Sequence, residues 1–400
     1  MQLFWPETTE WQEALHQLKT KNPFNPFQSE VLNFTQSLSK EFIKMRQSPE
    51  IVALGYWLRK SNIFSMREQW EKEVSGHYFK ARGTVFHLAP SNVDTIFIYS
   101  WMLSLLAGNK NIIRVSGKEQ TQKNELLSCL INILKDPEHK EISERTIILT
   151  YEHDQNTTLL ISEQCHTRVV WGGDETVNSI RKIPLAPMAN ELVFPDRFSL
   201  SILNAEAFLD ADENDKTNLL EQFYNDSYWF DQMACSSPRL IIWIGDKNHI
   251  KDAQKIFWSI FEQVISRKDY ELQPAVQVQK FTTGLWLAAE QETTSINFEK
   301  SISRVSFQFL PQEARERHCG GGLFYECVMP NLRTVSAIIK DKDQTLSYFG
   351  FSNEELIDFM DQVSTRGIDR IVPIGQALNF DGIWDGQNFL RSFMREVVIL

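Results

Sequence analysis

A chain of 400 residues with 42% hydrophobic and 12% aromatic side chains can bury a large core, so it is globular and long enough for two or three domains. Its 41 basic and 52 acidic side chains leave a net charge of −11, which repels phosphate backbones and argues against nucleic acid as a general partner. A local basic pocket for one phosphorylated cofactor is compatible with that balance. The opening MQLFWPETTEWQEAL has no basic segment followed by an apolar one, so no secretory leader is expected. The longest uncharged apolar stretch, Thr95–Asn109, is too short for a bilayer span. The five cysteines, at 129, 165, 235, 319 and 327, form no CxxC and no zinc-spaced cluster. They read as free thiols of a reducing cytoplasm, and no metal site is expected.

In chain order, residues 1–75 read as helical. Leu32, Phe34 and Leu38, then Ile51, Leu54 and Leu58, recur at helix-like spacing. From Gly83 onward short apolar strands alternate with helices: TVFHLA (84–89), an apolar helix over Asn92–Ala107, NIIRV (111–115), and an amphipathic helix over Lys118–Lys135. TIILT (146–150), RVVW (168–171), a helix from Asp174 and SLSIL (199–203) continue the alternation. Such a run on short connections predicts an α/β protein with a doubly wound parallel sheet, whose ligands sit beyond the carboxyl ends of the strands. Thr217–Phe230 reads as an amphipathic helix, RLIIWI (239–244) as a strand and NEELIDFMDQV (353–363) as a helix. The expected division is a helical lead-in (1–75) with a cofactor-binding α/β domain to 203, a second α/β domain over 204–378, and a tail over 379–400.

Cys235 stands where the helix meets the strand, in DQMACSSPR. A cysteine at such a joint can be a small buried hydrophobe. Its neighbours Asp231, Ser236 and Ser237 are polar, and a turn exposes backbone N–H groups, which favour a thiolate and hence a nucleophile for a carbonyl. Asn92, in LAPSNVD, is placed to cap a helix, or to donate its side-chain NH2 to an oxyanion over the sheet edge. Arg114, Ser116 and Lys118 follow one strand and form either a solvated strand end or a site for cofactor phosphate or ribose. Gly172 and Gly173 form a strand-to-helix turn that lets a ligand approach the backbone, although Asp174 disfavours phosphate there. HCGGG (318–322) reads as a flexible turn. His87, His153, His166 and His318 read as scattered core or surface residues.

Taken in order, these pieces resemble the aldehyde dehydrogenase superfamily: APSN its proline–x–asparagine motif, AGNKNIIRVS its AGN turn and lysine-bearing strand, and DQMACSSPR its nucleophile motif, with Gln232, Cys235 and Arg239 in register. Within it, VALGYWLRKSNI (52–63), QMACSSPR and GIDRIVPIGQALNFDGIWDG (367–386) look like the acyl-thioester reductases of bacterial luminescence. The resemblance implies an aldehyde dehydrogenase-like fold and NADPH-dependent reduction of a fatty acyl-CoA or acyl-protein to the aldehyde. It further implies a homo-oligomer, with an acyl-protein synthetase or acyltransferase as partner. Carried over by motif, Cys235 is the acylated nucleophile, and Asn92 with the backbone N–H of Cys235 forms the oxyanion hole. Arg114 takes the place of the ribose-binding lysine, with Ser116 and Lys118 beside it. Gly173 matches the turn near the pyrophosphate, and Glu326 is a candidate for a second ribose contact.

Two departures from the superfamily pattern bear on direction. Where oxidising members carry a glutamate base, LVFPDR (192–197) puts Val193, with Glu191 two residues away and expected to point elsewhere. Water attack on an acyl-cysteine then lacks its usual base. Where NAD enzymes often keep a ribose-holding carboxylate, Gly117 stands next to Lys118, which favours the extra phosphate of NADPH. The rival expectations are an NAD(P)-dependent aldehyde dehydrogenase acting oxidatively and a non-catalytic subunit of an acyl-transfer complex.

Overall fold

The computed structural model describes residues 1–7, 10–90, 96–117, 121–152, 154–290, 293–299 and 301–399. The chain forms two compact units, Met1–Asp196 with Phe380–Leu400, and Arg197–Asn379.

The first unit is built on a six-stranded sheet in the order Gln2–Trp5, Thr146–Thr150, Lys110–Arg114, Thr84–Leu88, Thr167–Trp171, Asn190–Phe194. All pairs are parallel except the first. Thr84–Leu88 and Thr167–Trp171 are buried at every position, as strands covered on both faces must be. From Thr84–Leu88 the chain winds outward through Lys110–Arg114 and Thr146–Thr150, then crosses back to Thr167–Trp171 on the other side. The direction therefore reverses between Thr84–Leu88 and Thr167–Trp171, which makes their carboxyl ends a switch-point crevice. The helix Ile96–Leu106 is buried at all 11 positions. Its Ser100 hydroxyl contacts His87 Nδ1 at 2.7 Å, and Asn111 Oδ1 meets Nε2 at 3.0 Å, so His87 is a satisfied core histidine. Burial pushes its pKa down to about 4.

The expected helical lead-in is present as helices Trp11–Thr20, Ser29–Phe42, Pro49–Trp57 and Lys60–Glu73. It also holds a strand that periodicity did not signal. Gln2–Trp5 is too short to show a period, and its place is set by pairing with Thr146–Thr150 and by the Trp5 Nε1 bond to the Ser143 carbonyl. The C-terminal segment is not a separate tail. Phe389 stacks on Phe194, and Met394–Val397 pairs with Tyr78–Ala81, so the chain end is part of the first unit.

The second unit carries a seven-stranded sheet in the order Thr293–Phe298, Ser303–Phe307, Leu323–Met329, Pro238–Ile244, Phe198–Asn204, Asp343–Phe349, Arg370–Pro373. Only the Thr293–Phe298 hairpin is antiparallel. Phe198–Asn204, expected to close the first domain, lies inside this sheet between Pro238–Ile244 and Asp343–Phe349. Its two faces feed two cores of the second unit, Leu200 and Ile202 one and Leu203 the other. The boundary therefore falls at 196/197 and not at 203/204. Among the described residues no helix is long and apolar enough to cross a membrane.

Candidate active site

The helix Glu213–Tyr228 ends seven residues before Cys235. The chain then passes through Asp231 and Gln232 at positive φ (49° and 61°), a left-handed conformation that L side chains adopt only when their surroundings enforce it. Several bonds enforce it here. Gln232 Nε2 donates across the turn to the Pro238 carbonyl at 2.9 Å, and its Oε1 accepts from the Gly322 N–H at 3.1 Å. The Gly321 N–H donates to the Asp231 carbonyl at 2.8 Å, and Tyr270 Oη donates to Asp231 Oδ1 at 2.7 Å. Ser199 Oγ donates to the carbonyl of Cys235 itself at 2.6 Å. Cys235 is half-buried, while Ser236 and Ser237 behind it are buried, with hydroxyls that have no hydrogen-bond partner among the described residues. The other cysteines sit where thiolate is disfavoured. Burial pushes the thiols of Cys165 and Cys327 up to about 12 and that of Cys129 up to about 11, and it raises Cys319.

The HCGGG segment is not a slack turn. Gly320, Gly321 and Gly322 all have positive φ (71°, 64° and 78°). A Cβ on Gly322 would lie 2.2 Å from the Ser301 carbonyl oxygen, and one on Gly320 would lie 2.6 Å from that of Asp231. Only glycine fits there, and the turn lies directly against the Cys235 turn. His318 closes its start: Nε2 meets the Leu323 carbonyl at 2.6 Å and Nδ1 meets the Gly320 N–H at 3.1 Å. A carbonyl only accepts and an amide N–H only donates, so the ring is neutral with its proton on Nε2. Burial, then the nearby Arg239, pushes His318 well below the usual histidine range. Lys280, on the helix Pro274–Glu290, is fully buried and donates from Nζ to the Gly321 carbonyl at 3.1 Å. Burial lowers its pKa to about 8, against an opposing pull from Cys319.

The surroundings of two glutamates bear on their expected roles. Glu326, a candidate ribose contact, is buried, and its Oε1 accepts from Trp243 Nε1 (2.9 Å), Trp258 Nε1 (3.0 Å) and Gln254 Nε2 (3.1 Å). Its Oε1 ties the strand to the helix Lys247–Arg267. Glu191 does not point away from Val193, because residues two apart on a strand share a face. What removes it as a base is its ion pairs, with Arg168 at 2.6 Å and Arg181 at 3.4 Å.

In the first unit, the switch-point crevice is a cavity of about 1410 Å³. Arg114, Ser116 and Gly117 line it from one strand end, Ala89 and Pro90 from the next, and Gly172 and Gly173 from the third. Arg114 donates from Nη2 to the Tyr151 carbonyl at 3.0 Å and lies over the Tyr151 ring. Its Nε is buried without a hydrogen-bond partner among the described residues. Gly173 caps the helix Asp174–Arg181, and a Cβ there would meet nothing within 4 Å. The structure thus gathers Arg114, Ser116 and Gly173 around one cavity. Asn92 and Lys118 lie outside the described residues. The spacing of these residues in sequence did not bring in Thr150, Tyr151 or Thr176, which also line the cavity.

Two mostly parallel sheets, one with a switch-point cavity and one preceded by a cysteine at a braced turn, form an aldehyde dehydrogenase-like fold. The fold is that of aldehyde dehydrogenase 21 from Physcomitrella patens, solved in complex with succinate, with a TM-score of 0.67 at 10% identity over 92% of this chain and 85% of that one. Residues 58–396 match the acyl-CoA reductase (LuxC) family, and the chain belongs to that family. It is similar to the long-chain acyl-protein thioester reductase of Aliivibrio fischeri, 24% identical over 342 residues, covering 80% of this chain and 65% of the relative. The enzyme of the same name from Vibrio harveyi is 22% identical over 338 residues, covering 79% and 64%. The chain thus spans just under two thirds of the length of these curated relatives.

Proposed function

We propose that this protein reduces a fatty acyl thioester to the aldehyde through an acyl-Cys235 intermediate, with NADPH as reductant. The observation that carries this proposal is Cys235 itself: a half-buried thiol on a turn fixed by five hydrogen bonds, one across the turn and four from three other parts of the second unit. Family membership supports the reaction class, and a long-chain acyl thioester is the substrate named for the relatives.

The Cys235 sulfur attacks the thioester carbonyl, forming the new S–C bond, and the donor thiol leaves with a proton. The oxyanion is assigned to the Asn92 side chain and the Cys235 N–H, contacts whose loss costs about 3–4 kcal/mol per donor in other acyl-transfer enzymes. No activated water competes well for the acyl-cysteine, since Val193 stands where oxidising relatives place a base and Glu191 is tied to two arginines. The cavity in the first unit fits a dinucleotide: it lies at the switch point, and Arg114 keeps an unsatisfied N–H there for an anionic or hydroxyl oxygen. When bound, a reduced nicotinamide supplies the hydride that turns the acyl group into aldehyde. Arg114 and Ser116 would hold its ribose and Gly173 would allow its pyrophosphate to approach the backbone. Gly117 in place of a carboxylate, next to Lys118, supports NADPH over NADH.

Incubation of the protein with a long-chain acyl-CoA, followed by intact-mass measurement, tests the first half-reaction. An adduct of the acyl mass is expected, lost in Cys235→Ala. No adduct on the wild-type chain would instead favour a non-catalytic subunit. Supplying aldehyde and NADP+ without a thiol acceptor tests direction: sustained turnover to the acid would mean an oxidising aldehyde dehydrogenase. Oxidation of NADPH and NADH in parallel, over acyl-CoAs of graded length and an acyl-protein donor, settles cofactor and chain length.

A further inference from the structure

We propose that Lys280 is a positioning residue for the nucleophile, acting on the Cys235 turn through the Gly321–Gly322 peptide and the Gln232 side chain. The inference rests on Cys235 being the nucleophile. Its geometry is a continuous chain of hydrogen bonds. Lys280 Nζ donates to the Gly321 carbonyl at 3.1 Å. The N–H of that same peptide unit, carried by Gly322, donates to Gln232 Oε1 at 3.1 Å. The other end of the Gln232 amide donates from Nε2 to the Pro238 carbonyl at 2.9 Å, on the far side of Cys235.

Every link runs in the same sense. The positive charge on Lys280 draws electron density toward the Gly321 oxygen, which makes the Gly322 N–H a stronger donor. The Gln232 amide passes that polarisation on. Cooperative chains of this kind stiffen what they cross, and this one crosses two successive residues at positive φ. Packing alone does not account for Lys280. It shares its helix face with Gly284 and Leu287, both buried, where an aliphatic side chain would fill the space without desolvating a charge. Cys319 is its neighbour, but burial keeps that thiol protonated.

The test is a double-mutant cycle read at Cys235. The rate of alkylation by iodoacetamide, resolved at Cys235 by peptide mass mapping, is measured in the full chain as wild type, Lys280→Met, Gln232→Met and the double variant. Each single change is expected to slow Cys235 about five- to tenfold, and the double variant to be no slower than the slower single, because both cut one chain. Lys280→Gln, which keeps an N–H donor, is expected to recover part of the loss. Additive effects, or a folded Lys280→Met whose Cys235 reacts within twofold of wild type, would overturn the proposal. Should circular dichroism find Lys280→Met unfolded, the cycle of Lys280→Gln with Gln232→Met decides by the same additivity criterion. Alkylation needs neither acyl donor nor cofactor, so a failure here is distinct from failure of the reductase assignment, which the acyl adduct on wild-type protein reads.

Discussion

The Cys235 turn and the cavity around Arg114 differ in how far the protein holds their backbone, although the buried Ser236 and Ser237 hydroxyls beside Cys235, like Arg114 Nε, have no partner among the described residues. At Cys235 the carbonyls of Asp231, Cys235 and Pro238 and both ends of the Gln232 amide are bonded, and two residues are kept in left-handed backbone. At the cavity, Arg114 Nε is buried without a partner among the described residues, Gly173 meets nothing, and a Cβ on Gly117 would touch only Thr150 Oγ1, at 3.5 Å. The contrast follows from the chemistry each would perform. A side chain that forms a covalent bond must be aimed before the substrate arrives, so its frame is completed by the protein. A crevice for a ligand keeps donors and space unsatisfied, and the ligand completes them. The two regions also sit at opposite strand ends. The cavity obeys the rule for carboxyl edges of parallel sheets, whereas Cys235 and the three glycines precede the amino ends of Pro238–Ile244 and Leu323–Met329.

This contrast breaks if substitutions on the two sides have the same signature. The largest effect is expected for Cys235→Ala: loss of about 10⁴-fold or more in aldehyde formation, as when a nucleophile is removed elsewhere. The thermal midpoint should move by about 2 °C or less, because the side chain is half-exposed and its frame is backbone. Next comes Arg114→Met. It should weaken NADPH binding about 10- to 100-fold, the range for losing a charged hydrogen bond, while Cys235 alkylation stays at the wild-type rate. A titration by nucleotide fluorescence reads the first and mass mapping the second. Equal losses in both would mean that Arg114 supports the fold and not a ligand. Gly117→Glu sharpens the cofactor side further. The open space there admits a side chain, and a carboxylate should shift the ratio of kcat/KM for NADPH and NADH about tenfold toward NADH. An unchanged ratio would remove Gly117 from the cofactor argument.

The doubly wound order of the first unit was legible because its strands are short, apolar and separated by periodic helices, and that placed Arg114, Ser116 and Gly173 together. The boundary was harder to read. SLSIL looks the same whichever sheet it joins, and only its pairing with Pro238–Ile244 and Asp343–Phe349 assigns it. The packing of Glu326 was not legible, because its three donors come from Trp243, Gln254 and Trp258, with no local mark on the strand that carries it. The glycine run looked slack in sequence, yet the neighbouring backbone permits nothing larger. Lys280 did leave a trace: it stands four residues before Gly284 and seven before Leu287, on the apolar side of its helix.

The smallest effect is expected from pH, through the anchor of the glycine turn. His318 closes the glycine turn as a neutral ring, with Nδ1 accepting from the Gly320 N–H. Protonation would set two N–H groups against each other, and burial together with Arg239 already pushes the folded-state pKa well below 6.5. The unfolded chain takes up a proton as pH falls through about 6.5, whereas the folded chain does not. The stabilising contribution is therefore complete above that pH and declines below it. Thermal midpoints recorded from about pH 7.5 down to about pH 5.5 should fall by a few degrees more in the wild type than in His318→Gln. His87 and His166 are also pushed down by burial and add to the slope in both proteins, so only the difference between the two reports on His318. Cys235 alkylation, corrected for the fraction of thiolate, and NADPH affinity measured on the same samples should both stay level over that window, because the folded ring takes up no proton there. Parallel slopes for wild type and His318→Gln would mean that the ring takes up a proton as readily in the fold as in the unfolded chain, and the glycine turn would then need another anchor.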